Sequence, residues 1–116
     1  MTKQKIKGER RPGVPLIILI NKHTFSAAEG FAYQLKSLKR AIVIGEQSKG
    51  GAHPKRNFNI NDSFYLSLPI LRNENAITNT DWEGAGVIPD LKVKSESSLE
   101  MGISTANELI TTHNKQ

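Results

Sequence analysis

The sequence predicts a small mixed α/β domain, and three observations support that prediction. Residues 16–20 form a run of β-branched and aliphatic side chains, as in a strand buried on both faces of a sheet. From Ser26 onward apolar residues recur at intervals of three and four, which is typical of an amphipathic helix. Residues 41–44 form a second short apolar run, closed by Gly45. A strand, a helix and a strand with short connections indicate a parallel βαβ unit.

The chain after Pro54 predicts a β-hairpin. Phe58 and Ile60 alternate with polar residues, and alternation resumes from Phe64 to Ile70 after a three-residue polar turn. Pro69 indicates that the second arm is an edge strand or is bent there.

A short strand and a second helix are expected to complete the domain. Residues 90–93 are predicted to form the strand. The helix that follows carries its apolar stripe at Leu99, Ile103, Ala106 and Ile110. Ser97 and Glu100 have the spacing of a capping box, which predicts where this helix begins.

Length and composition limit the chain to one small domain or a piece of a larger one. It has 116 residues, of which 37% are hydrophobic and 23% charged, and it contains no Cys. Disulfides, thiolate metal sites and a Cys nucleophile are therefore excluded. We expect no cofactor and no metal. We divide the chain into a flexible basic lead-in (1–13), a domain (14–112) and a tail (113–116).

The positive charge belongs mainly to the N-terminal lead-in. Five of the 16 basic residues and one of the 11 acidic residues fall within the first twelve positions, so the formal net charge of +5 drops to +1 for the remainder. A balanced domain with few aromatic residues does not predict nucleic-acid binding. The longest apolar run, residues 14–20, is too short to span a membrane. No signal peptide is visible at the N-terminus.

Ser26 is the first candidate functional residue, because it lies where the first strand turns into the first helix. Its hydroxyl would lie at the carboxyl end of the sheet, where free N–H groups such as that of Ala27 can stabilise an oxyanion. Acyl-transfer enzymes present a nucleophile in this geometry. Ser26 and Glu29 also match a capping box, and spacing alone favours that interpretation.

Two further segments are candidates for a site. Residues 45–54 are rich in glycine, which permits close approach of another chain, but they lack the spacing of a phosphate-binding loop. His53 in this segment is either a base or simply an exposed loop residue, and His23 is a weaker candidate of the same kind. His113 lies in the tail and is expected to be inert. Residues 82–90 combine Trp82 and Glu83 with two glycines; Glu83 can orient a histidine, or the segment can be a turn whose Trp plugs the edge of the core.

Three segments of the chain have to be considered together: residues 15–29 (PLIILINKHTFSAAE), residues 40–46 (RAIVIGE) with 50–54 (GGAHP), and residues 82–90 (WEGAGVIPD). In this order they resemble peptidase family S41, the tail-specific or carboxy-terminal-processing serine peptidases. The likeness extends over roughly residues 14–112 and looks closest to the branch that contains the repeats of interphotoreceptor retinoid-binding protein. It implies a fold of the Clp protease–crotonase kind, with stacked ββα layers.

The resemblance also implies roles for individual residues. Ser26 occupies the position of the nucleophile, and the N–H of Ala27 that of an oxyanion-hole donor. One subgroup of the family activates its serine with a lysine in the pattern G-E-x-x-x-G-K-G, and counted from Gly45 that position is Gly51 here. Lys49 lies two residues early, so the chain departs from this subgroup, and Lys49 is at most a substitute base.

The other subgroup uses a Ser-His-Glu arrangement, and Glu83 is placed like its acidic residue. Its histidine comes from an N-terminal segment that these 116 residues do not contain. The family's D-L-R-x-N-x-G-G turn, which completes the oxyanion hole, is also missing before Leu16. We therefore expect the chain to be the C-terminal part of an S41-like peptidase domain, inactive alone.

The resemblance leaves two functions open, beside a third interpretation in which the chain is an interaction or assembly piece with no site of its own. The first is a serine-type endopeptidase that cuts extended or unfolded polypeptides, which would enter by strand addition along the arm at 64–71. The second is a non-catalytic module for retinoids or other apolar ligands, with Phe25, Phe31, Phe58 and Trp82 lining the pocket. The expected partners are a polypeptide substrate and either the N-terminal half of the peptidase or a second copy. Family members are usually exported, which predicts a periplasmic or extracellular location.

Overall fold

The computed structural model describes residues 7–113, and within them it contains five strands and two helices. In chain order they are β1 (Ile17–Ile20), α1 (Ala27–Ser37), β2 (Ile42–Gly45), β3 (Lys55–Asn59), β4 (Tyr65–Pro69), β5 (Leu91–Lys92) and α2 (Ser95–His113). The predicted βαβ unit, hairpin and C-terminal helix are all confirmed. Part of the predicted lead-in (1–6) and of the tail (114–116) lies outside the described residues.

Three parallel strands form the central sheet in the order β1-β2-β5. Ile17 of β1 is in register with Ile42 of β2, and Ile44 is in register with Leu91 of β5. The glycine that ends β2 is required by close packing, because a Cβ on Gly45 would lie 1.9 Å from the carbonyl oxygen of Ile20. The carboxyl ends of β1 and β2 therefore meet at one edge of the sheet.

The two helices cover opposite faces of β1, because alternate side chains of a strand point to opposite faces. Ile18 and Ile20 pack with Ala32 of α1 in the core, whereas Ile17 and Leu19 lie against Gly102 of α2. Each face of β1 thus contacts a helix. Nevertheless β1 is an edge strand, and only its last residue is buried, so the expectation of complete burial on both faces is wrong.

The hydrophobic core lies between the sheet and α1. It consists of Ile20, Ala32, Val43, Ala52, Trp82 and Val87. Residues from the loops after β2 and before β5 thus complete a core begun by the βαβ unit. Burying a side chain of Val or Ile size contributes about 1.5–3 kcal/mol, so this small cluster fixes those loops against the helix.

The hairpin of β3 and β4 is an arm that packs chiefly against itself. Its strands pair antiparallel, with Phe58 opposite Leu66, and every residue of both strands is exposed. The radius of gyration of the chain is 17.8 Å, against about 13 Å for a compact domain of this length. The apolar residues of the arm therefore find no core within the described chain.

The start of α2 differs from the sequence prediction. The helix begins at Ser95, so Ser97 and Glu100 lie inside its first turns, and the capping box expected there is wrong. The hydroxyl of Ser98 donates a hydrogen bond back to the carbonyl of Ser95 at 2.8 Å. The predicted cap at Ser97 therefore lies three residues after the position that precedes the helix.

Candidate active site

Ser26 is presented by a tight turn that follows β1. The N–H of Asn21 donates to the hydroxyl of Thr24 at 3.0 Å, and the side-chain carbonyl of Asn21 accepts from the N–H of His23 at 2.9 Å. These bonds reverse the chain within four residues, so that α1 can begin directly after Ser26. Ser26 is the N-cap residue and is exposed at the carboxyl end of the sheet. Its hydroxyl is therefore not sealed inside the protein.

The backbone of Ser26 is strained. Its φ of 55° and ψ of −120° lie in a region that a residue with a side chain rarely adopts. Such a conformation costs on the order of 1–3 kcal/mol and persists only where surrounding contacts hold it. Strain at the serine of a strand-to-helix turn is a feature of nucleophile elbows.

The capping box predicted from Ser26 and Glu29 is present in the structure, although only its Glu29 half makes a full hydrogen bond. Oε2 of Glu29 accepts a hydrogen bond from the N–H of Ser26 at 2.7 Å. The Ser26 side chain faces the N–H of Glu29 in the reciprocal position but makes no capping hydrogen bond of its own. Glu29 thus secures the backbone of Ser26 and leaves its hydroxyl available.

The N–H of Ala27 is available beside this hydroxyl. Ala27 is the first residue of α1 and is exposed, and its N–H has no hydrogen-bond partner within residues 7–113. The first N–H groups of a helix have no acceptor within the helix and lie at the positive end of its dipole. The turn therefore places a hydroxyl and an unoccupied donor on adjacent residues.

Glu29 is the central anchor of the site. Its side chain is 0% exposed. Besides Ser26, it accepts hydrogen bonds from the Ser48 hydroxyl at 2.6 Å and from the N–H groups of Gly50 and Gly51 at 2.6 and 2.9 Å. Burial by itself raises the pKa of Glu29, but these hydrogen bonds outweigh it and hold the pKa below its ordinary value. Glu29 is therefore an ionised carboxylate that ties the serine turn to the glycine-rich loop.

Gly51 has no room for a side chain while Phe25 keeps its position. A Cβ on Gly51 would lie 2.2 Å from Cε2 of the Phe25 ring. The position at which the Ser-Lys subgroup carries its lysine is thus covered by an aromatic ring. Lys49 places its ammonium 5.3 Å from the centroid of the same ring, so its contact is with Phe25. A role for Lys49 as a base stays a prediction.

Glu83 holds the next two residues of the glycine-rich loop. Its Oε2 accepts hydrogen bonds from the N–H groups of Ala52 at 2.6 Å and His53 at 2.9 Å. These two bonds lower the pKa of the Glu83 carboxyl. Among the described residues, its side-chain hydrogen bonds all go to Oε2. The other oxygen is free to accept from a further group.

His53 is a member of a charged cluster. Its Nε2 lies 3.1 Å from Oδ2 of Asp81, and its Nδ1 lies 3.9 Å from Oε2 of Glu83. Arg72 approaches the same Asp81 oxygen at 3.5 Å. The backbone N–H of Glu83 chiefly lowers the pKa of Asp81, with further contributions from His53 and Arg72. The structure brings His53 and Glu83 together, and a role for His53 as a base stays a prediction.

Trp82 belongs to the core, as the structural interpretation of residues 82–90 expected. The residue is 5% exposed, its ring is tilted against that of Tyr33 with the centroids 5.4 Å apart, and its Nε1 donates to the carbonyl of Gly51 at 3.1 Å. Phe58, by contrast, is on the hairpin arm. The four aromatic residues expected to line an apolar ligand pocket are therefore in different surroundings.

The remaining candidates lie outside this constellation. His23 is exposed on the turn before α1, and the side chain of His113 lies outside the described residues. No group of three or more metal-ligating side chains occurs within residues 7–113. In the same part of the chain no helix is long and apolar enough to cross a membrane.

Sequence reasoning missed Ser48 and Asp81. Ser48 is buried and links Glu29 to the N–H of Val87, which donates to its hydroxyl at 2.7 Å. Asp81 pairs with His53 across 28 positions of sequence. The only local signals were a serine inside a glycine-rich loop and an acidic residue beside Trp82. Neither specifies a partner so distant in the chain.

Comparison with known proteins identifies the family. The model of Peptidase family S41 matches residues 1–93. The chain belongs to peptidase family S41. The match ends at the start of α2, so it is shorter at the C-terminus than the resemblance seen in the sequence.

Its relatives include carboxyl-terminal-processing peptidases. The chloroplastic carboxyl-terminal-processing peptidase 2 of Arabidopsis thaliana is 40% identical over 76 residues, which are 66% of this chain and 15% of that protein. The chloroplastic C-terminal processing peptidase of Tetradesmus obliquus is 29% identical and covers 71% and 18%. This S41 chain thus spans less than a fifth of the length of either relative. These names give no support to a special closeness to retinoid-binding proteins, and the apolar-ligand alternative is not favoured.

Solved structures agree with this assignment. The photosystem II D1 C-terminal processing protease superposes with a TM-score of 0.62 at 29% identity, covering 77% of this chain and 23% of that one. Mature CPAF superposes with a TM-score of 0.59 at 24% identity, covering 78% and 18%, and shows likeness of fold. The described elements therefore form one segment of an S41 protease fold.

Proposed function

We propose that this S41 chain carries the nucleophile of a serine-type endopeptidase that cuts extended or unfolded polypeptides. The observation that supports the proposal is the exposed, strained Ser26 with the unoccupied N–H of Ala27 beside it. Ser26 Oγ attacks the scissile carbonyl while a base takes its proton, and the Ala27 N–H stabilises the oxyanion. The proton then passes to the leaving amine, and water hydrolyses the acyl-serine ester.

The base is proposed to be a histidine from a part of the peptidase other than these 116 residues. Glu83 supports this proposal because its second carboxylate oxygen is available to accept an N–H from an imidazole and fix its tautomer. Gly51 has no side chain that could accept the proton, and Lys49 and His53 are weaker candidates for the base. The chain alone should therefore have almost no activity, since both the base and a second oxyanion donor would be absent.

The rest of the assembly is proposed by family likeness. The fold would complete the stacked ββα layers of the Clp protease–crotonase kind, with either an N-terminal half or a second copy packing against this part. Substrate would add as a strand along the β4 arm, whose edge and apolar side chains are exposed. The location would be periplasmic or extracellular.

Imidazole rescue tests the nucleophile separately from the base. The chain is incubated with a fluorophosphonate probe at increasing imidazole concentrations, and labelled residues are identified by mass spectrometry. We expect slow labelling of Ser26 that rises with imidazole, because free imidazole replaces the missing base, and none in Ser26→Ala. Ser104→Ala, an exposed serine of α2, is the matched control and should label like the wild type.

Two outcomes would contradict parts of this proposal. If Ser26 labels no faster than Ser104 at any imidazole concentration, Ser26 is not an activatable nucleophile. If Ser26 labels rapidly without imidazole, the base lies within the 116 residues and not elsewhere.

A further inference from the structure

Glu83 is held at both its backbone and its carboxylate by hydrogen bonds that form a closed circuit of three residues. Its backbone N–H donates to Oδ1 of Asp81 at 2.9 Å, and its Oε2 accepts from the backbone N–H of His53 at 2.9 Å. The His53 ring returns to Asp81, with Nε2 lying 3.1 Å from Oδ2. Each residue thus contacts both of the others. Asp81 belongs to this circuit although it lies outside the three sequence segments that resemble the family.

Burial separates the roles of the two carboxylates. The side chain of Asp81 is 11% exposed, whereas that of Glu83 is 39% exposed. Both Asp81 oxygens are engaged, since Oδ1 accepts from Glu83 and Oδ2 faces His53 and Nε of Arg72, the latter at 3.5 Å. The hydrogen bonds to the Glu83 side chain leave its second oxygen available. Asp81 is therefore placed to act on Glu83, and Glu83 to act on a further group.

Both ring nitrogens of His53 face carboxylates. Nε2 lies beside Asp81, and Nδ1 lies 3.9 Å from Oε2 of Glu83. A general base has to present an unprotonated nitrogen to the group that gives up its proton. The ring is instead placed between the two acids, and the backbone N–H of the same residue bonds to Glu83. His53 in this position keeps Asp81 and Glu83 in a fixed arrangement.

A short series of hydrogen bonds connects the circuit to the turn that carries Ser26. Oε2 of Glu83 accepts the N–H of Ala52 at 2.6 Å, and the preceding N–H, that of Gly51, donates to Glu29 at 2.9 Å. Glu29 in turn accepts the N–H of Ser26 at 2.7 Å. Precise orientation of a functional side chain requires supporting contacts that fix its direction. The circuit supplies such contacts to Glu83.

We infer that Asp81 and His53 are positioning residues that fix the direction of the Glu83 carboxylate and so aim its second oxygen at the imidazole of the base. This inference rests on the proposed function, because it takes Glu83 as the acceptor for that imidazole. Asp81 fixes the backbone of Glu83. His53 fixes its Oε2, and the His53 ring keeps Asp81 in place. Both residues act through Glu83 and not on the substrate.

Four consecutive amides supply an internal control for a test by hydrogen exchange. Two carboxylates share them in pairs: the first pair, Gly50 and Gly51, donates to Glu29, and the second pair, Ala52 and His53, donates to Glu83. Opening the circuit should release only the second pair, whereas a general loss of stability would release all four.

Amide hydrogen exchange of the 116-residue chain, followed by NMR, tests the circuit without needing catalysis. Asp81→Ala should speed exchange of the second pair about 10-fold, because a mobile Glu83 releases these amides more often. Exchange of the first pair should stay within about 2-fold of the wild type, since Glu29 still holds it.

Three further variants identify the contacts responsible. Asp81→Asn should keep the second pair within about 3-fold of the wild type, because a carboxamide can accept from Glu83 and donate to a neutral imidazole. His53→Phe keeps its backbone N–H but removes the ring nitrogens, so it opens the circuit at a second point and should reproduce Asp81→Ala. Asp62→Ala, which removes an exposed carboxylate at the hairpin turn, is the matched control and should change none of the four amides. Circular dichroism confirms that each variant is folded.

Imidazole-rescued labelling of Ser26 tests the consequence for the base. The slope of the labelling rate against imidazole concentration should fall about 10-fold in Asp81→Ala, a small part of what disabling the orienting carboxylate costs a serine peptidase. The rate without imidazole should stay the same, since Glu29 still holds the serine turn. A purely structural role of Asp81 would lower both.

Equal exchange of the second pair in Asp81→Ala and the wild type would overturn the inference, and so would an equal rise at all four amides. A selective rise with an unchanged imidazole slope would overturn the aiming of Glu83 at the base and retain Ser26 as the nucleophile. If Ser26 labels in none of the proteins, the proposed nucleophile is rejected, and exchange alone decides whether Asp81 fixes Glu83.

Discussion

The loop at residues 48–53 and the hairpin at residues 55–69 adjoin in sequence but differ in how they are held. Four consecutive N–H groups of the loop, from Gly50 to His53, each donate to a carboxylate of Glu29 or Glu83. The hairpin has its backbone paired internally, but all residues of its strands are exposed. The loop beside Ser26 is therefore held by contacts within this chain, whereas the apolar side chains of the hairpin remain exposed to solvent.

Among the changes proposed for the loop and the hairpin, removal of the Glu29 carboxylate should lower the free energy of unfolding most. Glu29→Ala would leave the buried Ser48 hydroxyl and the N–H groups of Ser26, Gly50 and Gly51 without their acceptor. An unsatisfied buried donor costs about 1–3 kcal/mol, so we expect the free energy of unfolding to fall by about 3 kcal/mol or more. Urea unfolding followed by Trp82 fluorescence measures this loss.

Glu108→Ala supplies the control, since Glu108 is exposed on α2. It should change the free energy of unfolding by no more than about 0.5 kcal/mol. If the two variants unfold at the same urea concentration, the loop does not depend on Glu29.

Lowering the pH should destabilise the same loop, but by less than Glu29→Ala does. Hydrogen bonds hold the pKa values of Glu29, Asp81 and Glu83 below their ordinary values. A carboxyl with a depressed pKa in the folded state contributes stability above its unfolded pKa, which for glutamate is 4.5. That contribution is lost as the pH falls through the lower folded value. Stability should therefore hold from pH 7 to about pH 5 and fall steeply below it.

A pH series of unfolding midpoints tests this prediction when Glu29→Gln is compared with the wild type. The variant cannot lose a charge at position 29, so its stability should decline less between pH 5 and pH 2.5. Parallel decline of the two proteins would mean that Glu29 does not contribute to the acid response.

Substitutions in the hairpin arm should reduce self-association and change the stability of the rest of the domain very little. Phe58→Ser with Leu66→Ser removes a cross-strand pair of exposed apolar side chains. Contiguous exposed apolar surface promotes association, so the wild type should self-associate at high concentration in sedimentation and the double variant much less. Its free energy of unfolding, followed by Trp82, should change by under about 1 kcal/mol.

A monomeric wild type at high concentration would show that the arm needs no partner. A large loss of stability in the double variant would show that the arm is part of the core after all.

Local periodicity was enough to predict most of the fold. The βαβ unit and the hairpin follow from three- to four-residue and two-residue spacing within short windows. The error at Ser97 has the same origin, because Ser-x-x-Glu recurs by chance inside a helix that begins at Ser95. The burial of β1 was also overestimated, since its apolar run does not reveal that it lies at the sheet edge.

The site was predicted only where its signal was local. The positions of Ser26 and Ala27 at a strand-to-helix turn, and the capping box with Glu29, follow from local spacing, whereas the catalytic roles of Ser26 and Ala27 stay a prediction. The bonds from Glu29 to Ser48 and Gly51 span 19 and 22 positions. These contacts depend on how α1 packs beside the loop, which no spacing rule encodes. The role proposed for Glu83 came mainly from the family likeness. Its hydrogen bonds from the N–H groups of Ala52 and His53 depend on the tertiary fold and could not be predicted from the sequence.

The division of four consecutive amides between two carboxylates also limits how this segment can change length. Inserting one residue between Gly50 and His53 would shift every later amide out of phase with its acceptor, and deleting one would strip Glu83 of a donor. Sequence change in this segment should therefore proceed by substitution and hardly ever by gain or loss of a residue.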